Sequence, residues 1–171
     1  MTKNIRSLVL GLAAALVLPV VSASAQKAAP SFGKGAKVLD LGIVADDPNG
    51  FAGAFEVGLL ELAPNLTLGV GAIGSYQSES SISLTWIAGQ ANVHYSLPDL
   101  SALDLFGGAA LGISRVSIDG LESIGIDGSD SEFGVGITFG ARYMFTPKIG
   151  GTVRLGIEDA PDLILGLSIK F

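Results

Sequence analysis

Eight short segments of this chain alternate apolar and polar residues with a period of two. That period sends successive side chains to opposite faces of a strand, whereas an amphipathic helix repeats every 3.6 residues. The clearest case is the sixth segment, where Phe133, Val135 and Ile137 alternate with glycines and Thr138. The segments lie at 37–44, 53–61, 66–76, 82–96, 102–117, 132–145, 149–158 and 163–171. We therefore predict an all-β chain whose strands each have one apolar face.

The hydropathy of the chain constrains how these strands are covered. Apolar residues make up 49% of the sequence, yet no apolar run after residue 25 approaches the roughly 20 residues of a spanning helix. Apolar residues distributed over short alternating strands are typical of a transmembrane β-barrel. Hydrocarbon does not tolerate an open sheet edge, so the strands must close into a ring. The prediction for 37–171 is a closed antiparallel up-and-down eight-stranded transmembrane β-barrel.

The N-terminus has the three parts of an export signal. Lys3 and Arg6 precede an apolar core at 8–18, and Ala23-Ser24-Ala25 forms an A-x-A cleavage site. We predict that residues 1–25 are a signal peptide that is removed. Residues 26–36 show no periodicity and are expected to form a flexible periplasmic N-terminal segment. A retained N-terminal anchor helix is the alternative.

Charge and cysteine content exclude several classes of function. Removal of residues 1–25 leaves eight basic and sixteen acidic residues, a net charge of −8. Such an acidic chain lacks the basic surface needed to bind nucleic acid. The absence of cysteine rules out disulfides, thiolate metal sites and a lipid-modified N-terminal cysteine.

The connections between segments predict which end faces which compartment. Tight turns are predicted at 62–65, 97–101 and 146–148, and the loops of the opposite end at 45–52, 77–81, 118–131 and 159–162. Membrane barrels have short periplasmic turns and longer external loops. Both termini of the mature chain are therefore expected in the periplasm.

The signal peptide, the stretch from Gly140 to Lys148 and the terminal Leu163 to Phe171 together resemble a known family. This is the small eight-stranded outer-membrane β-barrel family, of the outer-membrane protein A transmembrane-domain or opacity-protein type. The resemblance implies a monomer in the outer membrane, in contact with lipid and lipopolysaccharide, that folds with the barrel-assembly machinery. Its assembly signal would be the alternating residues of the last strand: Leu163, Leu165, Leu167, Ile169 and Phe171.

The polar positions of the segments form the predicted lumen face. An eight-stranded barrel has an interior that side chains just fill, so charges there are expected to interlock. The predicted lumen charge network is Asp40, Glu56, Asp104, Arg142, Arg154, Glu158 and Lys170. Strand order predicts the pairs Asp104 with Arg142 and Asp40 with Lys170. A gated small-solute pore is the alternative.

The two halves of the fourth segment place their apolar residues on opposite parities. Leu84 and Trp86 share the parity of Gln90, Asn92 and His94. A β-bulge near residues 88–89 would return both apolar side chains to the lipid face.

His94-Tyr95-Ser96 resembles the His-x-Ser motif of the outer-membrane lipid A deacylases. Nucleophilic catalysis would require Ser96, His94 as the base and a carboxylate that orients it. The motif lies beside a predicted periplasmic turn, and Leu97 stands where that family usually has Asn. We expect a lumen histidine, no catalytic residue and no enzyme, with lipid A modification as the remote alternative.

Two further patterns resemble ligand-binding motifs, but the sequence around each does not support that interpretation. The sequence from Gly69 to Gly74 matches G-x-G-x-x-G, but no helix begins after it, so no dinucleotide or other cofactor is expected. The acidic loop 118–131 lacks the spacing of a calcium loop. We expect a solvated loop and no metal, with weak divalent binding as the alternative.

Aromatic residues near the strand ends predict two membrane-interface girdles. The upper girdle comprises Phe55, Tyr76 and Phe133, and the lower one Tyr95, Tyr143 and Phe145, together with Phe171. The expected function is a structural or surface-interaction role in the outer membrane. The competing fold is a soluble, lipocalin-like periplasmic barrel with an apolar interior.

Overall fold

The computed structural model describes residues 31–120 and 128–171 as one ring of eight strands. The strands are β1 (Lys37–Val44), β2 (Gly50–Ala63), β3 (Leu66–Glu79), β4 (Ile82–Ser96), β5 (Leu103–Ile118), β6 (Ser129–Met144), β7 (Ile149–Glu158) and β8 (Leu163–Lys170). Each strand pairs antiparallel with its neighbours in sequence, and β1 pairs antiparallel with β8. The predicted closed antiparallel barrel is confirmed. Residues 1–30, with the predicted export signal, lie outside the described residues.

In the part of the chain that the structure describes, no helix is long and apolar enough to cross a membrane.

The barrel has two ends, which we name by what lies there. The terminal end holds both ends of the strand ladder, Lys37 and Lys170, and the connections at 64–65, 97–102 and 145–148. The loop end holds the connections at 45–49, 80–81, 119–128 and 159–162. The loop end is also longer on β2 and β3 than expected, because Phe51 and Gln77 join the ladder opposite Tyr76 and Gly50. Antiparallel pairing uses backbone groups, so the polar residues at the loop end of β3 continue the ladder.

The apolar faces of the strands point away from the lumen. Leu41, Ile87 and Phe133 are 51%, 65% and 72% exposed, whereas polar residues of the opposite parity, such as Asp40 and Gln90, are buried. A soluble barrel would bury these apolar faces inside. The outer surface is thus of the kind that hydrocarbon covers.

Trp86 corrects the prediction for β4. The register runs without interruption from Ile82 to Tyr95 against β3 and from Ile82 to Ser96 against β5, so no bulge occurs at residues 88–89. Trp86 therefore faces the lumen, where only 3% of it is exposed. The ladder irregularities lie instead on β2, between Gly58 and Leu60 and between Glu61 and Ala63.

The lumen consists of two layers stacked along the barrel axis. The half toward the loop end also holds the buried Ser75 and Gln77, but it is filled mainly by a cluster of small and apolar side chains: Val44, Ala52, Ala54, Ile73, Trp86, Ala88, Ala110, Ala160 and Ile164. The half toward the terminal end is filled by buried charged and polar side chains. Trp86 belongs to the first layer, so its inward side chain packs among other apolar side chains.

Candidate functional site

Arg142 is the centre of the polar half of the lumen. The regular ladder of β5 and β6 places it directly opposite Asp104, and its guanidinium is fully buried. Its Nη1 donates to Asp104 Oδ2 at 2.9 Å and its Nη2 to Asp40 Oδ2 at 2.8 Å. Its Nε donates to Ser168 Oγ at 3.2 Å, and Ser168 donates to Asp40 Oδ1 at 2.6 Å. One arginine therefore joins β1, β5, β6 and β8.

Arg154 on β7 is the second buried cation. Its Nη2 lies 3.5 Å from Asp40 Oδ2 and 3.5 Å from Glu56 Oε2. Its Nη1 donates to Gln90 Oε1 at 2.9 Å, and its guanidinium carbon lies 4.7 Å from the ring centre of Phe106. This arginine brings β2 and β4 into the cluster.

His94 lies between two carboxylates. Its Nδ1 is 2.9 Å from Asp104 Oδ2, and its Nε2 is 3.3 Å from Glu56 Oε1. An ionised carboxylate only accepts hydrogen bonds, so both ring nitrogens are satisfied only when both carry a proton. His94 then counts as a third cation beside Arg142 and Arg154. With His94 in that form and all three carboxylates ionised, the three cations match the charges of Asp40, Glu56 and Asp104.

The segment before β1 enters the terminal end of the lumen. Phe32 is 1% exposed, and its ring stacks on that of His94 with the centres 3.8 Å apart. The backbone N–H of Ser31 donates to Ser101 O at 3.0 Å, and the N–H of Gly35 donates to Gly58 O at 2.7 Å. We call residues 31–36 the leader. Its packing differs from the flexible segment expected from the sequence, because Phe32 fills space inside the barrel; residues 26–30 lie outside the described residues.

The structure brings together five of the seven residues proposed for the lumen charge network: Asp40, Glu56, Asp104, Arg142 and Arg154. Glu158 is not among them. It ends β7 with a φ of 62° and is exposed at the loop end. Lys170 is half-buried at the terminal end, opposite Val38, and the residue opposite Asp40 is Ser168. The predicted Asp40–Lys170 pair is therefore two residues out of register.

Ser96 and His94 do not form the arrangement that catalysis requires. Ser96 Oγ lies 3.4 Å from the carbonyl oxygen of Phe32 and 3.4 Å from Ser31 Oγ. Both ring nitrogens of His94 face carboxylates, as described above, and both residues are at most 2% exposed. The hydroxyl therefore anchors the leader, and the imidazole belongs to the ion cluster.

Sequence reasoning missed three residues that complete this half of the lumen. Phe32 lies in a segment without periodicity, and its isolated aromatic ring was the available signal. Ser168 and Phe106 follow the inward parity of β8 and β5, so parity alone would have found them. Phe106 lies under both guanidinium groups, 5.3 Å from that of Arg142.

The patterns that suggested ligands have structural roles. Gly69 and Gly71 lie in strand β3, and a Cβ on Gly69 would come within 3.1 Å of the Phe32 ring and 3.0 Å of His94 Nε2. Its missing side chain makes room for the leader. No group of three metal-binding side chains occurs among the described residues; Glu122 and Asp127 of the acidic loop lie outside them.

The residues of the two predicted girdles face outward. Phe55, Tyr76, Phe133, Tyr95 and Phe145 are 42% to 72% exposed, and the ring centre of Tyr143 lies 5.8 Å from that of Phe145. Phe55 lies opposite Ala72, well inside β3, whereas Phe51 lies opposite Tyr76 nearer the loop end. Phe51, which is 72% exposed, is the aromatic residue of β2 at this level.

A closed ring of antiparallel strands with an apolar outer face is the architecture of the outer-membrane β-barrel class of protein. The sequence agrees: residues 13–162 match the family model of the outer membrane protein beta-barrel domain. The chain belongs to this family of outer-membrane proteins.

Solved structures share the fold at low sequence identity. The N-terminal β-barrel domain of Pseudomonas aeruginosa OprF superposes with a TM-score of 0.61 at 14% identity, over 81% of this chain and 99% of that chain. Ail, the attachment invasion locus protein of Yersinia pestis, solved in complex with the heparin analogue sucrose octasulfate, gives 0.57 at 14% identity over the same shares. A structure from the de novo design of transmembrane β-barrels gives 0.55 at 17%, over 85% and 100%. No curated protein sequence matches the chain.

Proposed function

We propose that this protein has a structural or surface-interaction role in the outer membrane and is neither a pore nor an enzyme. The observation that supports this most strongly is the filling of the lumen. The ion cluster and the apolar layer lie in series along the barrel axis, so a solute would have to pass both.

Each layer opposes conduction for its own reason. In the polar half, the guanidinium groups of Arg142 and Arg154 are held by carboxylates. Displacing either guanidinium group leaves a buried charge without its partner, which is costly. In the other half, Trp86 and its apolar neighbours provide nothing that replaces the hydration shell of an ion. A ring of eight strands is also just wide enough for its own side chains to fill the interior.

Catalysis is disfavoured by the same geometry. A lipid A deacylase needs a hydroxyl and a base that reach a lipid substrate, and Ser96 and His94 are buried inside the barrel. Their polar atoms contact the leader and two carboxylates, respectively.

The orientation we propose puts the terminal end in the periplasm. The longest connection, 119–128, lies at the loop end, and the longest connection at the terminal end, 97–102, is shorter. This arrangement matches the short periplasmic turns of membrane barrels. Lipid and lipopolysaccharide would then contact the exposed apolar band, with Phe51, Tyr76, Tyr143 and Phe145 near its two margins.

The last strand is proposed as the signal read by the barrel-assembly machinery. Leu163, Leu165, Leu167 and Ile169 alternate outward along β8, and Phe171 is 70% exposed. Its backbone N–H donates to Lys37 O, so the final residue also belongs to the closing seam.

Membrane fractionation combined with heat-modifiable migration on a detergent gel tests this proposal. A closed outer-membrane barrel should stay in the carbonate-washed membrane and migrate differently before and after boiling. Deletion of Phe171 should reduce the heat-modifiable form, whereas Phe133→Ala, which removes a ring from the outer wall, should leave its amount unchanged. Recovery of the wild-type chain in the soluble fraction would contradict the proposal.

A further inference from the structure

The leader crosses the terminal mouth of the barrel and is attached on both sides. At one side the N–H of Ser31 donates to Ser101 O in the β4–β5 connection; at the other, the N–H of Gly35 donates to Gly58 O on β2. The N–H of Gly58 also donates to Ala36 O at 2.8 Å. Between these attachments Phe32 points into the lumen and lies against His94.

The barrel wall is shaped to receive the leader. A Cβ on Gly58 would overlap the carbonyl oxygen of Gly33, closer than atoms can approach. Gly69 leaves the space beside the Phe32 ring. Two glycines on adjacent strands thus accommodate the leader backbone and its aromatic side chain, because a side chain at either position would displace them.

The groups behind Phe32 are polar. His94, Ser96 and Arg142 are all at most 2% exposed, and so are Thr67, Glu56 and Asp104. The Arg142 guanidinium carbon lies 5.7 Å from the Phe32 ring centre. Beyond this set of side chains lies the apolar layer, with Ala110 fully buried.

We infer that the leader is a plug over a dead-ended polar chamber. With the leader seated, Phe32 separates the ion cluster from water at the terminal end. With the leader displaced, water reaches His94, Ser96 and Arg142 but stops at the apolar layer. Plug opening therefore exposes a polar recess at one end of the barrel without opening a path through it.

Cysteine accessibility tests the inference, since the chain has no native cysteine. Ser96→Cys places a thiol directly behind the leader, and Ala110→Cys places one in the apolar layer. Each is combined with Phe32→Ala and exposed to a charged, membrane-impermeant methanethiosulfonate reagent. The matched control, Ser96→Cys with Phe133→Ala, removes an identical ring from the outer wall.

The expected result is faster labelling of the Ser96→Cys thiol when Phe32 is truncated. The rate should rise by at least about tenfold, which corresponds to ~1.4 kcal/mol of lost docking free energy. The Phe133→Ala control should label as slowly as Ser96→Cys alone, and the Ala110→Cys thiol should stay unlabelled in the Phe32→Ala background.

Two results would overturn the inference. If the Ser96→Cys thiol is labelled equally slowly with and without Phe32, the leader does not seal the chamber. If the Ala110→Cys thiol is labelled once Phe32 is truncated, the chamber is not dead-ended. Gly58→Val, which displaces the leader from β2 without altering Phe32, repeats the test if Phe32→Ala does not give a heat-modifiable barrel.

Discussion

At the scale of single residues, Arg142 is the side chain on which the lumen depends most. It contacts Asp40 and Asp104 at 2.8 and 2.9 Å and lies 3.4 Å from Glu56 Oε2. Such a buried ion cluster adds little net stability compared with an apolar core of the same shape. Removal of one partner, however, leaves the other charges buried without compensation. We therefore expect the cluster to affect stability chiefly through the penalty for removing one of its members.

Arg142→Met should lower the free energy of unfolding by about 3–5 kcal/mol, because carboxylates are left buried without their cation. Urea titration in lipid vesicles, followed by the fluorescence of Trp86, the single tryptophan, measures the change. Arg115→Met is the control. Arg115 is an exposed arginine bonded to Ser129, and its loss should change stability by no more than about 0.5 kcal/mol. Equal effects of the two substitutions would show that the cluster is not a structural centre.

Strand parity predicts most of this cluster from sequence. Strand parity and strand order predict that Asp104 and Arg142 are neighbours. The two residues lie directly opposite each other because β5 and β6 pair without a register shift. Strand parity fails for Lys170, because the shift between β1 and β8 is set when the barrel closes and is not encoded in either strand alone. It also gives no information on Phe32, whose position follows from a cavity that exists only after closure.

At the scale of elements, the largest difference between expectation and structure concerns β4. The sequence predicts a bulge because Trp86 and Leu84 share the parity of polar residues. The structure keeps the register regular and accommodates Trp86 in an apolar layer of the lumen. Alternation identifies the strand and its bounds, but the polarity of a lumen varies along its axis, so polarity alone does not predict which face is inside.

The leader is the second element whose position can be tested directly. Ser31 Oγ and Ser96 Oγ lie 3.4 Å apart, close enough for cysteines at these positions to meet. The double variant Ser31→Cys/Ser96→Cys should form an intramolecular disulfide on mild oxidation, detected by a change in migration that a reductant reverses. Ser31→Cys/Ser83→Cys, with the second cysteine near the loop end, should form none. No disulfide in the first variant would show that the leader does not occupy the mouth.

At the scale of the whole molecule, charge is distributed unequally between the two ends. Every lysine among the described residues lies at the terminal end: Lys34, Lys37, Lys148 and Lys170. The loop end carries most of the described acidic residues, namely Asp46, Asp47, Glu79, Asp119, Asp130, Glu132, Glu158, Asp159 and Asp162. Like charges across an interface oppose binding. The described residues of the loop end are therefore unfavourable for a polyanionic ligand.

The shape of the molecule is more predictable than its interior. Strand number, strand order and the outward apolar face follow from periodicity and from the rule that no edge stays open in hydrocarbon. The two layers of the lumen can be recognised only in the closed barrel, because Ala160 and Ile164 meet Trp86 from distant parts of the chain. Closure is thus the step at which sequence patterns stop being sufficient.

Single-channel recording in planar lipid bilayers tests the sealed lumen most directly. The protein would first be shown to be folded by heat-modifiable migration, and recordings would be made on the wild type and on Phe32→Ala. Neither should produce unitary current steps, because the apolar layer remains in place when the plug is displaced. Reproducible steps from the folded wild type would contradict a closed lumen and would favour the small-solute pore.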